Sequence, residues 1–193
     1  GIMSVGGSLG HTEKWNKSSL SVNTTYINLA PYIALFPDRN DWEKPFEAAQ
    51  GEVVFRQKFD KGMLKSYAAF DITAFELTQE DINIPEGFYI KLNNHNFYSN
   101  TSYCGVLSNK WSIETGLSYT TANNNMTFRD FKIEGKENSA HLKMKFKKRF
   151  NSRFKLSFGA EHFITDFEET YNEDSFSTKT QFETAIESFF KFH

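Results

Sequence analysis

Residues 137–163 read ENSAHLKMKFKKRFNSRFKLSFGAEHF, and this stretch decides the fold. Leu142, Met144 and Phe146 alternate with His141, Lys143, Lys145, Lys147 and Arg149. After a tight turn at Asn151-Ser152-Arg153, Phe154, Leu156, Phe158 and Ala160 alternate with Lys155, Ser157, Gly159 and Glu161. Period two is the mark of a β-strand, whose successive side chains point to opposite faces. The segment therefore reads as a hairpin with one apolar face and one charged face. Burying the basic row Lys143, Lys145, Lys147 and Arg149 unpaired inside a small soluble barrel would be prohibitive. A wide, wet lumen has no such difficulty.

The same alternation recurs along the chain. Leu20, Val22, Thr24 and Tyr26 oppose Ser19, Ser21, Asn23 and Thr25, and Val53, Phe55 and Phe59 oppose Glu52, Arg56 and Lys58. Trp111, Ile113, Thr115, Leu117 and Tyr119 share one face of another strand, and Phe182, Thr184, Ile186, Phe190 and Phe192 share one near the end. Strands are expected at 2–9, 17–29, 50–59, 63–77, 95–106, 111–122, 138–149, 154–166 and 178–192. Tyr67 and Phe75 break the pattern of the fourth, and the fifth is mixed on both faces.

Composition agrees. The 193 residues hold 21 Phe and are 17% aromatic, too rich in rings for a disordered chain. Net charge is −2, so the chain lacks the basic excess that a nucleic-acid binder needs. No run approaches the length of an apolar transmembrane helix. The lone Cys104 excludes an internal disulfide and a cysteine zinc site. The first seven residues show no signal-peptide pattern.

Asp60-Lys61-Gly62, Ser108-Asn109-Lys110 and Asn151-Ser152-Arg153 read as tight turns. Long polar connections are expected at 30–49, 78–94, 123–137 and 167–177. Short and long connections alternate, which in an up-and-down sheet places all long loops at one end. Long strands, two unlike faces and one-sided loops are the pattern of an outer-membrane β-barrel. The fold expected is thus all-β: an antiparallel up-and-down meander of about nine strands, the whole of 1–193 being one partial transmembrane β-barrel domain. A small soluble β-barrel that binds an apolar ligand is the alternative, since it shares the alternation.

The segments 19–47, 51–77, 109–120 and 137–163 resemble consecutive hairpins of the TonB-dependent receptors of the Bacteroides type. That family has a 22-stranded barrel with an N-terminal plug. Against it, about nine strands and no plug sequence mark a mid-barrel fragment, and an odd strand count does not close as a standard bacterial barrel. The resemblance implies outer-membrane localisation, contact with outer-membrane lipid, coupling to the TonB complex through a plug region, and nutrient import by the parent protein. Self-association of the fragment is a further partner expectation.

Candidate site residues are few. Phe36, Asp38, Arg39 and Trp42 mix rings and charges in one connection. They form either a substrate-contacting extracellular loop or a loop anchored by its own aromatics. The basic row reads as a lumen face paired with Glu114 and Glu161, and such a row can also focus anionic cargo. The acidic stretch 166–174 lacks the spaced carboxylates of a calcium loop and reads as solvated. The five histidines lack metal-ligand spacing. No catalytic motif or cofactor fingerprint is present, so no enzymatic activity, metal or cofactor is expected.

Overall fold

The computed structural model describes residues 5–36, 40–151, 153–172 and 174–192, with side chains described as far as residue 172. Nine antiparallel strands form a single sheet in sequence order, each hydrogen-bonded to its chain neighbours. They are β1 (Val5–Lys14), β2 (Ser18–Asn28), β3 (Asp41–Phe59), β4 (Gly62–Asp81), β5 (Ile84–Ser108), β6 (Trp111–Phe128), β7 (Phe131–Arg149), β8 (Phe154–Tyr171) and β9 (Asp174–Phe192). A short helix, α1 (Ala30–Leu35), lies between β2 and β3. The meander expected from the sequence is present, with β1 and β9 as its two edges.

Register places the alternating residues as the sequence implies. Leu142 stands opposite Leu117 on β6 and His162 on β8, and Phe146 stands opposite Ile113 and Phe158. Carried across the sheet, one face collects Leu20, Val22, Val53, Phe55, Leu64, Phe70, Tyr103, Leu117, Leu142 and Phe158. The other face collects Asn23, Glu52, Asp71, Asn96, Glu114, Lys143 and Glu161. They are called here the outer and inner faces.

Neither face closes over a core. Only Ala48, Ala74 and Ser139 are buried among the described residues, and Leu117, Leu142 and Phe158 are 55%, 46% and 40% exposed. The accessible surface is 13,712 Å², whereas a globular protein of this mass exposes roughly 9,400 Å². A single sheet with an uncovered apolar face accounts for the excess.

The long polar loops are a correction. Apart from 29–40, the residues assigned to them continue the strands, and the connections at 82–83, 129–130 and 172–173 are as short as those at 60–61 and 109–110. What distinguishes the two ends is how far the hairpins run past the apolar band. At the near end (15–17, 60–61, 109–110 and the connection from β7 to β8) the connections adjoin the band. At the far end the strands extend about ten residues further, roughly 30 Å. Lys110, Arg129 and Asn172 take left-handed backbone at these turns, with φ of 71°, 54° and 43°. None of these sites carries the Asn-Gly or Asp-Gly signal by which a tight hairpin is recognised in sequence.

Candidate functional site: two faces and an inversion of polarity

The outer face carries an apolar band bordered by rings. Towards the near end stand Trp15, Phe59, Tyr103, Trp111, Phe150 and Phe154. Phe59 packs edge-on to Tyr103 with centroids 6.2 Å apart, and Phe150 lies 5.0 Å from Phe154. Lys148 is the cation of this border, its Nζ 4.8 Å from the ring centroids of both Trp111 and Phe150. This is how an amphipathic lysine lies along an apolar surface and keeps its charge at the edge. On the far side of the band, Tyr26 accepts a 2.8 Å hydrogen bond from Asn28 Nδ2, and the Tyr119 hydroxyl donates to Asn138 Oδ1 at 3.3 Å. Trp111 and Tyr119 are eight residues apart on β6. At about 3.3 Å per residue and a tilt near 40°, the band is roughly 20 Å tall.

The inner face at the same level is polar and internally bonded. Asn23 Nδ2 donates to Glu52 Oε1 at 2.7 Å, and the Tyr67 hydroxyl donates to Glu52 Oε2 at 3.1 Å. Asn96 Nδ2 donates to Asp71 Oδ2 at 2.9 Å. Tyr67, which breaks the sequence pattern, is thus an inner-face polar group that brings its own donor.

The basic row is on this face. Lys143 bonds Glu161, whose second oxygen lies 3.1 Å from His141 Nε2, and Lys147 bonds Glu114. Arg149 ends the row, exposed, at the near end. Of the other candidate group, only Phe36 and Trp42 lie within the described residues. The Phe36 ring stacks on Tyr32 within the α1 segment at 5.1 Å, and no ring contact joins it to Trp42 among the described residues. Trp42 is half-buried on β3, with its Nε1 unpartnered. Asp38 and Arg39 lie outside the described residues. No cluster of three or more metal-ligating side chains occurs among the described residues.

Beyond the band, from β4 to β8, the two faces exchange character with no slip of register where the change occurs. β4 changes its apolar set from Leu64, Ala68, Phe70 and Ile72 to Phe75 and Leu77, while its pairing with β5 runs unbroken from Gly62–Gly105 to Gln79–Phe88. On β5, β6 and β7 the far hairpins likewise put Leu92, Ile90, Met126, Phe128, Ile133 and Phe131 on the inner face. Phe88 stacks on Phe128 at 5.9 Å, and Phe131 on Tyr171 at 5.8 Å. Their outer face becomes polar, with charges at Lys91 on β5 and at Lys132, Glu134 and Lys136 on β7. This parity change is why Phe75 looks anomalous in the sequence. It also marks the level at which the apolar outer band stops.

On that charged outer surface, outside the band, Glu76 accepts hydrogen bonds from the Tyr89 hydroxyl and from Lys91 Nζ, the latter at 2.9 Å. The Tyr89 bond, then Lys91, hold the Glu76 carboxyl below its ordinary 4.5. The bond to Glu76, assisted by desolvation, pushes the Tyr89 hydroxyl up to about 12. The lowered Glu76 value contributes stability above pH 4.5 that is lost as pH falls through the folded value. The raised Tyr89 value contributes below pH 10.0 and is lost as pH rises through about 12. Amide exchange of the β4–β5 hairpin is therefore expected to stay flat from about pH 5 to 10, once corrected for intrinsic rates, and to rise at both ends. Tyr89→Phe should abolish the alkaline rise and cost about 1 kcal/mol locally at neutral pH.

No family model matches the chain, and no curated protein matches it. Among solved structures, the sheet is similar to the ferric yersiniabactin uptake receptor FyuA from Yersinia pestis, at 11% identity and a TM-score of 0.33. The match covers 89% of this chain and 34% of that one, so the chain spans about a third of that receptor's length.

Proposed function

We propose that this chain is part of an outer-membrane β-barrel whose parent imports a nutrient through TonB coupling, of the Bacteroides receptor type that its hairpins resemble. The observation that carries the membrane part is the ring-bordered apolar band on an uncovered face, backed by a hydrogen-bonded polar face. Hydrocarbon can cover the first but cannot solvate the second. The open edges β1 and β9 suit a sheet continued by further strands of a wider barrel. The TonB coupling and the import role come from the sequence resemblance, and the Phe36–Trp42 connection, at the far end, is the cargo-contacting segment in this reading. No catalysis is assigned.

The soluble-barrel alternative has no such support, because a small barrel would enclose its apolar residues. Cysteine substitution tests the choice. In a Cys104→Ser background, Leu142→Cys should carry a blue-shifted fluorophore quenched by lipid-borne spin label. Lys143→Cys should react with a charged, water-soluble thiol reagent. Detergent-free monomers in which position 142 is shielded without lipid would defeat the proposal.

A further inference from the structure

We propose that the near end of β6, β7 and β8 binds the headgroup of an anionic phospholipid where the outer face meets the rim. Two lysines carry the inference, and both are anchored on Phe150. Lys110 Nζ donates a 3.1 Å hydrogen bond to the Phe150 carbonyl oxygen. Lys148 Nζ lies 4.8 Å from the ring centroids of both Trp111 and Phe150. An ammonium has three donors. The Phe150 carbonyl takes one from Lys110, and the ring contacts of Lys148 take none. Both cations thus keep N–H groups for the oxygens of a phosphate, a charge-assisted pairing. Lys110 is also held in left-handed backbone, φ 71°, where glycine is favoured. A charged side chain stands at the edge of the band on a backbone that glycine would fit better.

The two lysines border an open groove of about 1060 Å³ that crosses the rim from Trp111 on the outer face to Lys147 on the inner face. Lys110, Lys145, Lys147, Lys148, Arg149 and Lys155 line it, and no carboxylate does among the described residues. Lys147 is paired with Glu114, but Arg149 stands directly opposite Lys155, both of them exposed. Arg56 likewise faces Lys65 across β3 and β4. Like charges so opposed are destabilising, and an anion at the rim offsets them. Every near-end connection carries a cation: Lys17, Lys61, Lys110 and Arg153. At the far end the balance is reversed, with Asp41, Glu80, Asp81 and Glu86 lining a cavity that no cation lines. The potential therefore favours an anionic headgroup in the near leaflet and not in the far one.

What adjoins the cations selects a lipid. On the outer face Phe158 stacks on Phe146 at 5.5 Å and meets Trp111 edge-on at 6.1 Å, so the rings lead from the lysines into the apolar band. A ligand that joins an anion directly to an apolar chain meets both surfaces at once. Inorganic phosphate meets only the cations. A nucleic-acid strand would set further phosphates against the apolar band, where nothing solvates them. The inference rests on the membrane reading of the outer face, and the test separates the two.

Trp111 stands at the site and serves as the reporter. The full chain, carrying Trp15→Phe and Trp42→Phe, is placed in neutral-detergent micelles that contain phosphatidylcholine and phosphatidylglycerol, one of the two brominated on its acyl chains. Quenching of Trp111 should show the anionic lipid enriched about fivefold to tenfold over the zwitterionic one, as two basic contacts near a lipid surface allow. The enrichment should fall below about twofold as salt rises from about 50 to 500 mM. Lys110→Gly with Lys148→Met should abolish it, although glycine suits that backbone and methionine keeps an apolar stem over the rings. Lys110→Arg with Lys148→Arg should retain it, and Lys91→Gln, at the far end, should leave it unchanged. If the tryptophan variant does not fold, native mass spectrometry of the unmodified chain reads the same preference as retained lipid adducts. Equal quenching by both lipids, or enrichment that survives the loss of both lysines, overturns the proposal and leaves the membrane reading standing. Quenching by neither lipid overturns both. Loss of the preference on adding inorganic phosphate or polyglutamate at equal ionic strength overturns the choice of a lipid.

Discussion

Phe158→Arg is expected to destabilise the complete, lipid-embedded barrel by about 2–4 kcal/mol, the cost of arginine near the bilayer midplane on a lipid-facing strand. Phe158 is 40% exposed on the outer face. It stacks on Phe146 with centroids 5.5 Å apart and meets Trp111 edge-on at 6.1 Å. The band on β8 runs from Phe154 to Ile164, so Phe158 sits close to its middle. Arginine there loses both ring contacts and must carry its charge out of the apolar band. Ser157→Arg, one residue away, enters the inner face opposite Lys147. The like charge costs something, but in a wet lumen it should stay below about 1 kcal/mol. Urea titration of the barrel folded into vesicles measures both. Equal penalties, or a larger one at position 157, would mean that the lipid face has been assigned to the wrong side of the sheet.

Two inner-face glycines should respond very differently to the same added methyl. A Cβ on Gly159 would stand 2.5 Å from the Met144 carbonyl oxygen and 3.1 Å from the Lys145 Cα. Both are backbone atoms of β7, which is held by ladders to β6 and β8 and cannot withdraw alone. Gly159→Ala is therefore expected to cost about 1–3 kcal/mol, as other overpacked sites do. At Gly116 the nearest atom to a new Cβ would be the Thr101 carbonyl oxygen at 3.7 Å, an ordinary contact. Gly116→Ala should be neutral or stabilise by up to about 1 kcal/mol, because alanine restricts the unfolded chain. The unfolding midpoints of the two variants decide the matter. A worse outcome for Gly116 would show that the β6–β8 register is shifted.

The alternation in 137–163 by itself determined a great deal. Lys143, Lys145, Lys147 and Arg149 can share a face only on a strand, and Leu142, Met144 and Phe146 can share only the other. Period-two patterning is local, so the strands, and the sides occupied on those that alternate cleanly, were legible from neighbours along the chain. The lengths of the far hairpins were not. Residues 78–94 and 123–137 looked like loops because the apolar set changes parity near Phe75 and Met126, and a parity change reads as loss of pattern. Only pairing shows that the ladder continues past the parity change while the environment beyond each face changes.

The site divides in the same way. That Glu114 and Glu161 would answer the basic row followed from the order of the hairpins. That Arg56 faces Lys65, and Arg149 faces Lys155, depends on a register to one residue, which no single strand encodes. Cross-strand partners are set by where each turn begins. Arg129-Asp130 and Asn109-Lys110 turn the chain without the residues that ordinarily announce a tight turn. The sequence by itself therefore determined the strands and their two unlike faces, through the two-residue repeat. The tertiary structure decided which residues oppose one another, where the apolar band stops and where charge collects, because these are properties of pairs of strands.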